Sequence, residues 1–362
     1  MNSLEALPFD AATVLGAGLM GRLLALSLAR RGCQVTLHDA GGPQADGAAA
    51  RVAAAMLAPL AESAVAPASV VRMGQYGLER WPELLASLAS AVFFQREGTL
   101  VLWHRQDAPE AVRFAGVLAR TVNEVPGLPA MQRLDAAGVD AIEPGIGKRF
   151  AQGLLLPGEG QLDNRQLLAA LLASLQALPN VTMHWHSARA PDEFEPGASE
   201  RIIDCRGLGA RPQWAALRGV RGEVIRVHAP EVNLRRPTRL VHPRYPLYIA
   251  PKPDGVFVIG ATEIESDDMS PASVRSTLEL LSAAYSVHSG FAEARILEIA
   301  TQCRPSLPDN LPAIRWLKPR VMQVNGLYRH GFLIAPAMLD TAIERLATRT
   351  PTLASRFALE SE

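Results

Sequence analysis

Three glycines near the start of the chain have the spacing of a phosphate-binding loop. Gly16, Gly18 and Gly21 follow an apolar segment at residues 12–15, and apolar residues then recur at helical spacing as far as a stop at Gly32. The first glycine permits a tight turn, the second lets the backbone approach a pyrophosphate, and the third lets the helix pack on its strand. The N-terminus of that helix offers free N–H groups and a positive dipole end to phosphates. The spacing therefore predicts a nucleotide site.

A second strand is predicted at residues 34–37, and it ends at His38 and Asp39. Asp39 stands at the distance expected of an acid that accepts hydrogen bonds from an adenosine ribose, and a carboxylate there disfavours a 2′-phosphate. A glycine-rich turn in another α/β fold is the alternative, which the order of strand, glycines, helix, strand and acid argues against. This unit does not separate NAD from FAD, because similar glycines open nicotinamide-dependent hydroxyacyl-CoA dehydrogenases.

A further set of candidate residues lies near the other end of the chain. Residues 304–312 read Arg-Pro-Ser-Leu-Pro-Asp-Asn-Leu-Pro, and residues 325–331 read Asn-Gly-Leu-Tyr-Arg-His-Gly. A planar guanidinium binds a carboxylate through two parallel hydrogen bonds, which lysine cannot do. Arg304, after a predicted strand, could bind an anion in a site or be a surface arginine. Tyr248, in a predicted hairpin, could lie in a site or belong to the core.

Size and composition limit the classes of function. The 362 residues are enough for two domains, and the 36 basic and 36 acidic residues give no electrostatic reason to expect nucleic acid or a membrane surface as a partner. The longest helix-like apolar segment, residues 19–29, is too short to cross a bilayer, and residues 1–5 lack the features of a signal peptide. The three cysteines have no metal or redox spacing. We therefore expect no metal and a reduced, cytoplasmic location.

The remaining elements predict an α/β protein with a Rossmann-like nucleotide-binding domain and a second, mainly antiparallel β-sheet domain for substrate. The first domain is predicted at residues 1–82, 140–212 and 305–362, and the second at residues 83–139 and 213–304. The alanine-rich run 47–57 is interpreted as a helix, chosen for its propensity or for close approach to a flat ligand. Other helices are predicted at residues 164–178, capped by Asp163, and at 270–286. The other predicted strands cover residues 98–102, 153–156, 181–185, 201–204, 221–227, 247–251 and 256–259.

Taken together, the chain resembles the D-amino-acid oxidase superfamily and, within it, the glycine oxidases of thiamine biosynthesis. The resemblance spans nearly the whole sequence and starts from the N-terminal glycines with Asp39. The later motifs that carry it are Met-Leu-Ala at 56–58, Asp-Cys-Arg-Gly-Leu-Gly at 204–209, Arg-Gly-Glu at 221–223, Tyr-Ile-Ala-Pro at 248–251, Gly-Ala-Thr at 260–262, Arg-Pro at 304–305, Tyr-Arg-His-Gly at 328–331 and Ala-Pro at 335–336.

The resemblance implies non-covalent FAD and a set of site residues. Arg304 pairs with the substrate carboxylate, Tyr248 donates a hydrogen bond to it, and Arg329 lies at the pyrimidine end of the flavin, where positive charge stabilises the reduced form. These three are the expected catalytic residues, and a base such as His330 is not required if the amine binds neutral. The expected cofactor-binding residues are Gly16, Ala17, Gly18, Leu19, Met20, Gly21, His38, Asp39, Ala54, Met56, Leu57, Gly207, Gly209, Arg304, Tyr328, Arg329, His330, Gly331, Phe332 and Leu333.

The implied reaction is oxidation of glycine or another small amino acid or amine. Hydride transfer to FAD gives an imine, water converts the imine to glyoxylate and ammonia, and O₂ takes the electrons to give H₂O₂. The product would serve the thiazole branch of thiamine biosynthesis, and a homo-oligomer is expected by family analogy alone.

Several alternatives stay open at this point. One is a related oxidase or dehydrogenase of D-amino acids, N-methyl amino acids or larger amines. Another is an FAD-binding subunit of a heteromeric dehydrogenase. An NAD-dependent dehydrogenase is a further, minor alternative. The chain also departs from some relatives, which have glycine in place of Gln302 and methionine in place of Glu263. Glu263 could pair with a substrate ammonium or face solvent.

Overall fold

Strands and helices alternate along the computed structural model, which describes residues 7–242, 247–348 and 352–359. The expectation that residues 1–5 contain no signal peptide lies outside these residues. The strands are β1 Ala11–Leu15, β2 Gln34–His38, β3 Met56–Leu57, β4 Phe94–Gln95, β5 Thr99–Trp103, β6 Gln132–Asp135, β7 Gln152–Leu156, β8 Gly160–Leu162, β9 Val181–His184, β10 Glu200–Asp204, β11 Arg218–His228, β12 Thr238–Val241, β13 Leu247–Pro251, β14 Val256–Gly260, β15 Ile264–Glu265, β16 Arg295–Ser306, β17 Ala313–Lys318 and β18 Val321–Asn325.

The helices cover the sheets formed by these strands. They are α1 Leu19–Ala29, α2 Ala49–Val52, α3 Pro59–Glu62, α4 Ala68–Ala86, α5 Ala108–Glu124, α6 Ala136–Ile142, α7 Asn164–Gln176, α8 Val274–Val287, α9 Gly331–Ala347 and α10 Thr352–Phe357.

The first sheet is the predicted Rossmann-like sheet, with strand order β17-β18-β10-β1-β2-β9. β1 runs parallel to both β2 and β10, and only the edge strand β17 is antiparallel to its neighbour. Parallel strands covered on both faces are apolar without alternation, as Val14 and Leu15 illustrate by being fully buried. α1 packs against α7 and α9 beside this sheet.

The glycine-rich loop joins β1 to α1 in the predicted geometry. Gly16 has φ of +90°, in the left-handed region that glycine adopts without strain. A Cβ on Gly21 would lie 1.7 Å from the carbonyl oxygen of Gly16. The first and third glycines are therefore required by the turn and by close helix packing, respectively.

The second sheet is mainly antiparallel, as predicted, with order β15-β11-β14-β13-β12-β5-β7-β6 and with β16 pairing along β11. β13 and β14 form the predicted hairpin. Alternate residues of a strand face opposite sides of the sheet. On one side, Ile225, Ile249 and Ile259 form a hydrophobic core with α8.

The opposite face of the second sheet carries the polar candidates. Across adjacent strands, Val101 pairs with Arg239, Arg239 with Tyr248, and Tyr248 with Gly260. Arg304, on β16, pairs with Val220 of β11 and lies on that same face. The sheet register thus brings residues from six strands into one surface.

Two predicted helices differ from the structure. The alanine-rich run forms only α2 and then turns into β3, because distant side chains bind the carbonyls that a longer helix would need. The Asn164 amide donates to the carbonyls of Ala50 and Arg51 at 2.9 and 2.7 Å, and Lys252 Nζ donates to Ala54 at 2.8 Å. The helix predicted from residue 270 begins at α8, where the Ser273 hydroxyl accepts from the Ser276 N–H.

Other local predictions agree with the structure. Asp163 caps α7 by accepting from the N–H groups of Arg165 and Gln166. Arg304 was predicted to follow a strand, and it lies within one instead, because β16 continues through Arg304 to Ser306. The domain boundaries stay a prediction, and β7 lies in the second sheet although its residues fall within 140–212.

Replacing Gly21 with alanine should destabilise the protein. The added Cβ would overlap the Gly16 carbonyl, and such overpacking costs about 2 kcal/mol or more. The measurement is the free energy of unfolding in urea, with Gly116→Ala in α5 as the matched control. A Cβ at Gly116 meets nothing within 4 Å, so that variant should be about 0.5–1 kcal/mol more stable than the parent. Equal stability of the two variants would contradict the packing role of Gly21.

Candidate functional site

One cavity of about 610 Å³ lies between the carboxyl ends of the parallel strands and the polar face of the second sheet. The residues after β1, β2 and β10 all contribute to its wall, among them Gly16, Asp39 and Gly207. β1 lies between β2 and β10, so the strand order reverses at this point, which is where open α/β sheets bind ligands. The volume is within the range of cofactor and small-molecule sites.

One end of the cavity is an anion-binding loop. Gly18 precedes α1 without a capping side chain, and Gly18, Leu19 and Met20 line the cavity. The Asp39 carboxylate orders this loop by accepting from the N–H of Ala17 at 2.5 Å and from that of Gly41 at 2.7 Å. The first N–H groups of α1 and its positive dipole end therefore face the cavity.

Arg22 supports this loop from behind and was missed as a functional candidate. Its guanidinium donates to the carbonyls of Ala17, Leu168 and Pro43 at 2.7, 2.7 and 2.6 Å, and burial lowers its pKa to about 10. The available signal was an arginine in an otherwise apolar helix. Its position adds positive charge beneath the anion site.

The other end of the cavity is the N-terminus of a second helix. Gly331, Phe332 and Leu333 begin α9 and line the cavity, and no side chain caps this helix. Nearby, Gly207 has φ of +57°, and the Asn325 amide donates to its carbonyl at 2.9 Å. Residues at two helix N-termini thus line one cavity.

Most of the predicted site residues lie in the cavity wall. Those that line it are Gly16, Gly18, Leu19, Met20, His38, Asp39, Ala54, Met56, Gly207, Gly209, Tyr248, Arg304, Tyr328, Arg329, His330, Gly331, Phe332 and Leu333. Ala17, Gly21 and Leu57 lie behind the wall. The Ala17 N–H is bound by Asp39, Gly21 packs on Gly16, and Leu57 is fully buried in the core.

Arg304 lies flat on the second sheet with its guanidinium over Gly222. A Cβ on Gly222 would lie 2.5 Å from Nη2 of Arg304. The guanidinium donates to the carbonyls of Arg221 at 3.3 Å and Thr262 at 3.2 Å, and within the described residues no carboxylate lies within 4.0 Å of it. Burial lowers the pKa of Arg304. Its remaining hydrogen-bonding capacity faces the cavity, so it can bind an anion there.

Tyr248 lies beside Arg304 on the same face. A Cβ on Gly260 would lie 2.6 Å from the Tyr248 hydroxyl, so the ring packs directly over that glycine. Burial raises the pKa of Tyr248, while Arg304 nearby lowers it. The hydroxyl has no hydrogen-bond partner within residues 7–242, 247–348 and 352–359, and it is therefore available to a ligand.

A buried ionic network, which the sequence did not predict, completes the wall. Glu62 accepts from Arg239 at 2.5 Å and lies 3.0 Å from Nε of Arg329 and 3.2 Å from Nδ1 of His330. Arg329 Nη1 donates to Glu263 at 2.7 Å, and the Tyr328 hydroxyl donates to the same carboxylate. No sequence spacing signals this network, because its members come from α3, β12, the loop after β14 and the turn before α9.

The network bears on two expectations from the sequence, the positive charge of Arg329 at the flavin and the role of Glu263. Burial alone would raise the pKa of Glu62, but Arg329 and Arg239 hold it well below its usual range, so Glu62 is ionised. The Arg329 charge is consequently compensated by Glu62 and Glu263, and the α9 N-terminus is the uncompensated positive feature at that end of the cavity. Glu263 lies in the wall, bound to Arg329 and Tyr328, and its pairing with a substrate ammonium stays a prediction.

Gln302, the second departure from some relatives, also lines the cavity. Its amide donates to the carbonyl of Gly47 at 3.1 Å. It therefore joins β16 to the loop that precedes α2.

A match over most of the chain identifies its family. Residues 12–342 match the model of the DAO family, described as FAD dependent oxidoreductase. The chain belongs to this family.

Individual relatives agree with this assignment. A protein from Rhizobium etli named as a thiamine biosynthesis oxidoreductase, ThiO, is 40% identical over 334 residues, which cover 92% of this chain and 95% of that protein. The glycine oxidase of Pseudomonas aeruginosa is 26% identical over 372 residues, covering 94% and 95% of the two chains. The crystal structure of glycine oxidase from Geobacillus kaustophilus superposes with a TM-score of 0.79 at 22% identity, covering 99% of this chain and 100% of that one.

The part of the chain that the structure describes has neither a membrane-spanning helix nor a metal-binding cluster. None of its helices has the length and apolar character to span a bilayer. Those residues also contain no group of three or more His, Cys, Asp or Glu side chains placed to bind a metal ion.

Glu159 supports the network from the core, and its replacement by glutamine should change the pH dependence of stability. Glu159 is 2% exposed and accepts from the Ala61 N–H at 2.8 Å, and burial raises its pKa to about 7 from 4.5. Between these two values the folded state keeps a proton that the unfolded state has released, so the parent loses stability as pH rises through that window. Glu159→Gln should be more stable than the parent at pH 8, by up to about 3 kcal/mol, and close to it at pH 4.5.

The measurement is the free energy of unfolding of both proteins between pH 4.5 and 8. Glu97→Gln, at an exposed glutamate, is the matched control and should follow the parent curve. A constant difference between Glu159→Gln and the parent across this range would contradict the raised pKa.

Proposed function

We propose that the protein catalyses FAD-dependent oxidative deamination of glycine or a small amino acid. The products are an imine, then glyoxylate or the corresponding 2-oxo acid, with ammonia and H₂O₂, and the reaction serves the thiazole branch of thiamine biosynthesis. The observation that carries the proposal is Arg304, a cavity-facing guanidinium without a carboxylate partner among the described residues. The names of the thiamine biosynthesis and glycine oxidase relatives support the substrate class.

The cavity residues fit FAD. The α1 N-terminus and the Gly16 to Gly21 loop suit the pyrophosphate, and Asp39 has acceptor capacity left for a ribose, since a carboxylate accepts about four hydrogen bonds. The α9 N-terminus suits the electron-rich edge of the flavin ring. When bound, FAD supplies the two-electron acceptor for the substrate's α-carbon hydride and passes the electrons to O₂.

Arg304 and Tyr248 bind and orient the substrate. Two parallel N–H groups of Arg304 bind the carboxylate, and the free Tyr248 hydroxyl donates a third hydrogen bond. Both side chains lie against glycines, Gly222 and Gly260, and the Arg304 guanidinium is held by the carbonyls of Arg221 and Thr262 before substrate arrives. Fixing the carboxylate in this way orients the α-carbon, which is the main contribution of a protein to such a reaction.

The charge of the wall favours the reactive form of the amine. Arg304, Arg329 and Arg239 face Glu62 and Glu263, so three guanidiniums and two carboxylates leave one positive charge. That charge stabilises a carboxylate and disfavours an ammonium beside it. The substrate therefore binds as an anion with a neutral amine, and no side chain needs to act as a base at the nitrogen.

The length of the cavity favours a second candidate, oxidation of larger amines. Val101 and Phe114 line it beyond Arg239. Val101 is two strands away from Tyr248 across the sheet, a separation of roughly 10 Å. This apolar end would accept the side chain of a D-amino acid or an N-substituent, which glycine lacks.

Anaerobic reduction of the purified protein tests the proposal and separates the two candidates. The visible spectrum is recorded before and after addition of glycine, sarcosine or D-valine without O₂. Bleaching of a flavin band by glycine supports the proposal, and bleaching by D-valine alone supports the second candidate. A colourless, folded protein, or a flavin that no amine reduces, would contradict both.

Arg304→Lys should raise KM for glycine by about tenfold or more with a smaller effect on kcat. Lysine keeps the charge but loses the parallel pair of hydrogen bonds, which is worth about 1.5–3 kcal/mol. The measurement is steady-state O₂ consumption, with Arg295→Lys at the exposed start of β16 as the control that keeps parental kinetics. A parental KM in Arg304→Lys would remove Arg304 from the substrate site.

A further inference from the structure

Glu263 lies in the cavity wall between the two sheets. It follows β14 in the loop that leads to β15, and its side chain is 44% exposed. Its two oxygens are used separately, one by Tyr328 and the other by Arg329 Nη1 at 2.7 Å. Both donors belong to the turn before α9, so Glu263 joins the second sheet to that turn.

Two cavity guanidiniums differ in what they can still bind. Arg304 contacts backbone carbonyls only and can take an anion. Arg329 is bound by Glu263 on Nη1 and lies 3.0 Å from Glu62 through Nε. The two arginines are close enough to influence each other: burial lowers the pKa of Arg304, Arg329 lowers it further, and Tyr248 and Glu263 raise it.

We propose that Glu263 is a specificity-determining residue that restricts the site to amines with a single carboxylate, because it occupies the guanidinium of Arg329. This inference rests on the proposed function and names its substrate class more closely. A substrate with a second carboxylate meets Glu263 itself, a like charge, and finds Arg329 already paired. Amino monocarboxylates, which need only Arg304 and Tyr248, are unaffected.

Removing the charge of Glu263 would change the wall in a defined way. The three guanidiniums would then face Glu62 alone, which leaves two positive charges instead of one. In Glu263→Gln the single amide oxygen could accept from only one of Arg329 Nη1 and the Tyr328 hydroxyl, and in Glu263→Met both would lose their acceptor and become available to a ligand. Glu62 would still pair with Arg329 and Arg239, so the buried part of the network would persist. The altered site would match an amine that bears two carboxylates, such as iminodiacetate or D-aspartate.

The test is binding of two simple carboxylates, glycolate and malonate, by calorimetric titration of the purified flavoprotein. The parent should bind glycolate at least as tightly as malonate. Glu263→Gln should bind malonate about tenfold or more tightly than the parent, with a smaller gain for glycolate, which has one carboxylate to meet the added positive charge. Glu265→Gln is the matched control, because Glu265 lies two residues on, pairs with Arg218 and does not line the cavity.

A kinetic measurement gives an independent readout. The ratio of kcat/KM for iminodiacetate to that for glycine should rise by about tenfold or more in Glu263→Gln and in Glu263→Met, and stay unchanged in Glu265→Gln. Glu263→Met removes the hydrogen-bonding capacity as well as the charge. Agreement between the two variants assigns the effect to the lost charge.

Three outcomes would overturn the inference. These are an unchanged malonate-to-glycolate ratio in Glu263→Gln, an equal loss of both ligands, which would make Glu263 only structural, or a parent that already prefers malonate. None of them depends on whether glycine reduces the flavin. Failure of the proposed function would instead show as a parent protein that no amine reduces, whatever carboxylate it binds.

Discussion

The site depends on the pairing of Glu62 with arginines from both halves of the molecule. Arg239 belongs to the second sheet and Arg329 to the turn that leads into α9, and the buried carboxylate between them lets both enter a low-dielectric wall. Burial opposes the ionisation of Glu62, and the two guanidiniums outweigh it. Without this pairing, like charges would separate the two walls of the cavity.

The register of the second sheet places the charged and polar residues on the face that lines the cavity. Because alternate residues share a face, Arg239 and Tyr248 stand side by side on paired strands while Ile249 faces the core with α8. The anion-binding loop lies across the cavity on the first sheet. The two sheets therefore have distinct roles, since in the proposed function the first binds the nucleotide and the second binds the substrate.

Local signals were enough to predict the hairpin and four of the six strands of the first sheet, but β17 and β18 were not predicted. The loop from Gly16 to Gly21, the strand β2 that ends just before Asp39, and the turn at Asp254 and Gly255, both in the left-handed region, are each encoded within a few residues. The alanine-rich run failed because Asn164 and Lys252, more than 100 positions away, take its carbonyls. The network around Glu62 could not be predicted for the same reason, since only the folded chain brings its members together. Arg304 and Tyr248 were identified through family resemblance combined with the chemistry of their side chains.

The packing of Arg304 and Tyr248 against two glycines affects the entropy of ligand binding. Arg304 and Tyr248 lie on Gly222 and Gly260, and the Arg304 guanidinium is also tied to backbone carbonyls, so Arg304 is ordered without a ligand. An arginine that must be ordered by its ligand loses up to about 2 kcal/mol of side-chain entropy at that moment. Here the loss occurs when the chain folds. A ligand as small as glycine offers few contacts of its own. The free energy of binding its carboxylate is then not reduced by the cost of ordering Arg304.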